Sequence, residues 1–173
     1  NQAKLQAGQD LTVHAAHIHN AAGANLLSGA TTALHASASL VNRGTIDGVR
    51  TQIDAPTVAN IGTGTIYGNH ISIAASTIHS GRESDKAATI AARQRLDLAA
   101  GTIDNRDGAL LLSGDVLAIG GTLDDKRQAT GQAGTVNNVS AKIESLGDMY
   151  LSAAQVNNLN PTIATETYTK SIT

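Results

Sequence analysis

Apolar residues recur along this chain in short alternating runs, and the runs come in threes. A triplet of apolar residue, any residue, and Asn or a substitute occurs as Ile18-His19-Asn20, Leu40-Val41-Asn42, Val58-Ala59-Asn60, Ile78-His79-Ser80, Ile103-Asp104-Asn105, Leu123-Asp124-Asp125 and Val156-Asn157-Asn158. The apolar members are 22, 18, 20, 25, 20 and 33 residues apart, a period that marks a solenoid. Upstream of each triplet lies a second alternation: Leu11-Thr12-Val13, Ile53, Ile71-Ser72-Ile73, Leu96-Asp97-Leu98, Leu117-Ala118-Ile119 and Met149-Tyr150-Leu151. Earlier still comes a short piece ending in a small residue: "LSG" at 27–29, "IDG" at 46–48, "IYG" at 66–68, "IAA" at 90–92, "LSG" at 112–114 and "IES" at 143–145. Each unit therefore predicts three strands of period two, joined by turns of a few residues.

No such unit can bury its own apolar side. Stacked at the ~4.8 Å spacing of neighbouring strands, the units place their Leu, Ile and Val anchors in one dry column. The predicted fold is all-β: a right-handed parallel β-helix of about seven three-strand coils over residues 1–160, the hand being that of parallel crossovers. The recurring Asn20, Asn42, Asn60, Asn105 and Asn158 form a predicted corner column, where Asn tolerates a left-handed backbone and stacked amides hydrogen-bond along the axis. The glycines of "NRG", "NIG" and "NRDG" are expected to give the next corner positive φ. The last residues, 161–173, alternate without an apolar column and read as a terminal strand or linker.

Composition fits a thin repetitive interior. The chain has no Phe, Trp or Cys among its 173 residues, so Leu, Ile, Val and Ala must do the packing. The lack of cysteine excludes a disulfide framework and thiolate metal sites. A net charge of −2 gives no reason to expect nucleic acid as a partner, and no apolar run approaches the ~18 residues of a membrane span. The start lacks the order of a signal peptide, so the chain reads as a soluble piece of something longer.

Two insertions break the period, 81–89 and 126–142, and both are expected to leave from the corner between a third strand and the next first strand. Loops of this sort on solenoids often form a binding face, which makes Arg82, Glu83, Asp85, Lys86, Lys126 and Arg127 the candidate binding residues. Their mixed charge suits a protein or neutral glycan rather than a polyanion. His17 and His19 flank an inward Ile18, but the matching positions of the next coil, Ser39 and Val41, offer no third zinc ligand, so surface histidines are the expectation. His14 and His35 sit in neighbouring corners.

Parallel β-helices also carry polysaccharide lyases and hydrolases, which need several ionisable groups on one face. The outward column of the middle strand reads Thr12, Ala33, Gln52, Ser72, Asp97, Ala118 and Tyr150, with one carboxylate. The first-strand column, taken as Ser28, Asp47, Tyr67, Ala91, Ser113 and Glu144, has two that lie three coils apart, about 14 Å, too far to share a glycosidic bond. No catalytic residue, metal site or cofactor is expected.

Phrases such as "LDLAAGTIDNRDGALLLSGD" (96–115) and "DMYLSAAQVNNLN" (148–160) resemble the haemagglutinin repeats of the filamentous haemagglutinin family of two-partner secretion exoproteins. The resemblance implies a stalk and adhesin at the cell surface of a Gram-negative bacterium, exported through a partner outer-membrane transporter. It also implies a host-cell or bacterial surface receptor, protein or glycan. The same repeats occur in the stalks of contact-dependent growth-inhibition proteins, the alternative role. Set against the resemblance, this stretch is expected to contain neither the family's amino-terminal secretion domain nor a carboxy-terminal toxin region.

Overall fold

In a computed structural model residues 3–161 are described, and among them there is no helix. The strands build seven coils. Coil one is Lys4–Ala7 and Leu11–Asn20, and coil two is Asn25–Ser28 and Thr31–Asn42. Coil three has three separate strands, Thr45–Asp47, Arg50–Asp54 and Thr57–Ile61. Coils four and five are each one long bent ribbon, Thr65–Glu83 and Thr89–Arg106. Coil six comprises Leu110–Ser113, Val116–Gly120 and Ala133–Val139, and coil seven Lys142–Ser145, Met149–Leu151 and Ala153–Leu159. Every pairing between coils is parallel; the two antiparallel pairings lie inside the insertions.

Period two explains this architecture. Alternate residues point inward, and parallel register sets like on like: Leu26, Ile46, Ile66, Ile90 and Leu111 in the first strand, Leu34, Ile53, Ile73, Leu98 and Ile119 in the second, Leu40, Val58, Ile78, Ile103 and Val136 in the third. Most of these side chains are wholly buried. Each contributes about 1.5–3 kcal/mol of transfer free energy, and branched aliphatics pack on a pleated surface without the bulk an aromatic ring would bring to so narrow a core. Six steps of ~4.8 Å make the solenoid about 30 Å long.

Three expectations need correction. The third strand of coil six is not at Leu123 but at Val136, whose Asn137 and Asn138 pair with Asp104 and Asn105. The second insertion therefore covers about 121–132, not 126–142, and it leaves between the second and third strands of its coil. The 81–89 insertion does leave after a third strand, so the two spring from different corners, not one edge. Second, Ser28 and Ser113 are not outward: the outward first-strand column is Leu27, Asp47, Tyr67, Ala91, Leu112 and Glu144, while Ser113 is buried and donates to the Gln94 and Val116 carbonyls. Third, the Asn residues end extended strands and none has positive φ. Positive φ falls instead on Gly23, Gly62, Gly108 and Gly131 and on Ser84, Asp107, Arg127 and Ser140. The glycine of "NRG", Gly44, is needed for space: a Cβ there would run into the Ala24 carbonyl and the Asn20 amide. The stretch read as a terminal strand, 161–173, lies almost wholly outside the described residues.

Candidate functional site

The Asn column is the most ordered polar feature of the molecule. Asn20, Asn42, Asn60, Asn105, Asn138 and Asn158 occupy one register position, with Ser80 in coil four. Four of the amides donate to the next one toward the carboxy-terminal end: Asn20 to Asn42 Oδ1 at 2.8 Å, Asn42 to Asn60 Oδ1 at 2.8 Å, Asn105 to Asn138 Oδ1 at 2.9 Å, and Asn138 to Asn158 Oδ1 at 2.8 Å. The amides also donate to a backbone carbonyl at the first strand of the coil after next, Asn20 to Thr45, Asn42 to Thr65, Asn60 to Thr89 and Asn105 to Lys142. The column thus ties the third strand of one coil to the first strand of the coil after next. It is broken at Ser80, whose Oγ is buried without a partner, as is the Oδ1 of Asn105 beside it. Asn138, not Asp125 of the triplet pattern, occupies this position in coil six.

The insertions differ in what they expose. The first forms a small hairpin in which Arg82 and Glu83 pair with Ala87 and Lys86. Glu83 does not project freely: Arg43 grips it at 2.6 and 2.8 Å, which lowers the Glu83 carboxyl and raises the Arg43 guanidinium relative to their ordinary values. Arg82 Nε donates to the Asp107 carbonyl at 3.0 Å. Asp85 and Lys86 are solvent-exposed and only loosely paired at 3.9 Å.

The second insertion lies back along the outer face of the middle strand. Thr122–Leu123 and Ala129–Thr130 pair as a hairpin, and Gly120 and Gly121 let its chain approach: a Cβ at either would collide with the Thr130 or Gln132 carbonyl. Arg127, at φ 58°, does not point to solvent as a free loop cation would. Its Nε donates to Ser72 Oγ at 2.7 Å, and Nη1 and Nη2 meet both oxygens of Asp54 at 3.2 and 2.9 Å. Beside it the Ala129 N–H donates to Asp97 Oδ1 at 2.8 Å. The loop from coil six thus reaches coils five, four and three. Lys126 is exposed, its N–H on Asp124.

Asp97 is the sole carboxylate in the middle-strand column, and its side chain is fully buried. Arg95 meets it through Nε at 2.7 Å and Nη2 at 3.0 Å, and His70 Nε2 lies 2.8 Å from Oδ2. Burial by itself would raise this carboxyl; the hydrogen bonds from His70, Arg95 and Ala129 and the Arg95 charge outweigh it and hold Asp97 below the ordinary carboxylate range. Next along the face, His35 Nδ1 is 3.1 Å from Asp54 Oδ2, and the His35 ring stacks on His14 with centroids 4.7 Å apart. An open groove of about 750 Å³ follows this corner past His14, His35 and Asp54.

Several polar groups do meet on one face, the arrangement a β-helix hydrolase requires. Their chemistry is different. An acid catalyst needs a carboxyl raised toward the working pH, whereas Asp97 is lowered and all its acceptor positions are occupied, and Asp54 is clasped by Arg127. Among the described residues no group of three or more His, Cys, Asp or Glu side chains could hold a metal ion. His17 bonds to Ser39 at 2.9 Å and His19 lies 3.3 Å from Arg43. What the network can do is fasten the insertion of coil six to coils five, four and three.

The family model described as the haemagglutinin repeat matches residues 1–47, 50–124 and 116–167. No curated protein and no solved structure matches the chain.

Proposed function

The chain belongs to the haemagglutinin repeat family, and on that premise we propose that it is a stalk segment of a secreted filamentous exoprotein whose surface also attaches to cells. The observation that carries the reading is the succession of haemagglutinin repeats from end to end, built on a core that runs through the seven coils and an amide column interrupted at Ser80. Such a scaffold transmits length and holds surface features at fixed axial positions. The parent fibre is exported from a Gram-negative bacterium through an outer-membrane transporter, and its receptor is a protein or glycan on a host or neighbouring cell. The exposed Asp85, Lys86 and Lys126 at the tips of the insertions are the contact points this reading selects.

The test is attachment of labelled protein to epithelial cells and to bacteria, beside a variant whose insertions at 82–87 and 121–132 are cut to ordinary corners. Attachment that disappears on trimming supports loop-borne adhesion. Equal attachment by both forms overturns the assignment to the loops, and attachment by neither leaves a stalk alone.

A further inference from the structure

The outer face of the first strand carries a cleft that neither the insertions nor the middle-strand network uses. About 380 Å³ in volume, it is lined by Tyr67, Ala91, Ala92, Arg93, Leu112 and Gly114. Register explains its apolar floor. Tyr67 of coil four pairs with Ala91 of coil five, and Ala91 with Leu112 of coil six, so a small residue separates an aromatic ring from a branched aliphatic. At the lower rim Gly114 lets the chain pass close to the Arg93 carbonyl, which a Cβ there would meet.

Arg93 stands at the edge because coil five carries one residue more than coil four at this corner: Ala92 pairs with Gly68, but the next pair is Arg95 with His70. Bulges of this kind re-aim a side chain. The Arg93 side chain is 58% exposed; its Nη1 lies 3.5 Å from Asn69 Oδ1 and 3.6 Å from Asp47 Oδ1. That Asp47 oxygen is buried without a hydrogen-bond partner, while the Asp47 side chain as a whole remains 34% exposed. Arg93 Nε and Nη2 have no acceptor among the described residues.

We propose that this cleft binds the ring of an uncharged pyranose sugar. An aromatic side chain beside Ala and Leu offers a flat apolar strip for the C–H face of the ring. At its edge the Arg93 guanidinium keeps Nε and Nη2 as free donors, and the ring and hydroxyl oxygens of a sugar can accept from them. The Asp47 charge lies against Arg93, so the rim is balanced and does not select an anion. The inference deepens the adhesive reading by naming a ligand class, and it places recognition on the solenoid wall rather than on the insertions.

Saturation-transfer NMR on the 173-residue chain tests it, with the methyl pyranosides of galactose, glucose and mannose in one arm and glucuronic and N-acetylneuraminic acids in the other. At least one neutral pyranoside is expected to bind saturably and to shift the Tyr67 ring signals. Arg93→Gln should weaken that binding about tenfold, the scale of one hydrogen bond to a charged group; Tyr67→Ala should abolish it, and Tyr67→Phe should keep it. Both positions are on the outer surface, and an unchanged melting curve checks each variant. Binding of the acidic sugars alone, no saturable binding of any neutral pyranoside, or binding unaffected by Arg93→Gln would each overturn the proposal. Such a failure leaves the stalk and loop-borne attachment standing, since cell attachment of the trimmed protein reports on them separately.

Discussion

Ser80→Asn is expected to stabilise the protein, because the Asn column is incomplete at that position alone. The new carboxamide would stand between Asn60 and Asn105 in the register their neighbours already use. Its Oδ1 can accept from Asn60 Nδ2, which now donates only to the Thr89 carbonyl. Its Nδ2 can reach Asn105 Oδ1, a buried acceptor without a partner, and the Leu110 carbonyl, the counterpart of Thr45 and Thr65 in earlier coils. Leaving a buried acceptor unsatisfied costs about 1–3 kcal/mol, and an added hydrogen bond contributes about 0.5–1.5 kcal/mol. Ordering the longer side chain offsets part of this, on the order of 1 kcal/mol. The net gain is about 1–2 kcal/mol, or about 2–8 °C in Tm for a chain of this size. Calorimetry measures the shift, and hydrogen exchange places it, since added protection should concentrate on coils four and five. Asn42→Ala is the converse: it removes the acceptor of Asn20 and Gly44 and the donor to Asn60 and Thr65, and should cost about 2–4 kcal/mol. A Ser80→Asn protein that melts at or below the parent temperature would show that the column is a consequence of the fold and contributes nothing to it.

Arg127→Ala should free the second insertion while the coils stay folded. Losing its bonds to Asp54 and Ser72 lowers the cost of local opening by about 1.4 kcal/mol, so trypsin should cut after Lys126 about ten times faster with little change in melting. Acid should act at the same place. Asp97 is lowered in the folded state, so its contribution is complete above the ordinary carboxylate pKa near ~4 and is lost as pH falls through the lower folded value. Proteolysis or exchange of residues 121–132 should therefore rise as pH falls below the ordinary carboxylate pKa, and Asp97→Asn should remove most of that dependence.

The coils were legible in the sequence because parallel stacking repeats one residue pattern in space, and inward Ile, Leu and Val carry that pattern without help from distant contacts. Six of the seven triplets stand in the expected register. The seventh failed for a definable reason: Leu123-Asp124-Asp125 fits the motif locally, but it precedes Ile143 by 20 residues, whereas Val136 precedes it by seven. In coils without an insertion the same interval is six to eight, as from Ile18 to Leu26, Leu40 to Ile46 and Ile103 to Leu111. That interval is fixed by the length of one corner, so it discriminates where residue type does not. Arg127 could not have been placed in this way. Its partner Asp54 is 73 residues away, and the contact depends on how a hairpin lies across a surface, which no period encodes. The Tyr67–Arg93 cleft was hidden similarly, by a single extra residue at one corner.

The break at Ser80 and the clasp of Arg127 fall along the same part of the axis, and in the proposed stalk they would together decide how the segment bears load. In the stalk proposed above, tension along the axis would be shared between backbone ladders, the file of amides, and ion pairs such as Arg43 with Glu83. Between coils three and six part of that load passes to the outside, through guanidinium and carboxylate groups at Asp54, Arg127, Arg95 and Asp97. The solenoid thus has a stretch whose stiffness the surrounding medium can set, softer in acid or strong salt and firm in dilute neutral buffer.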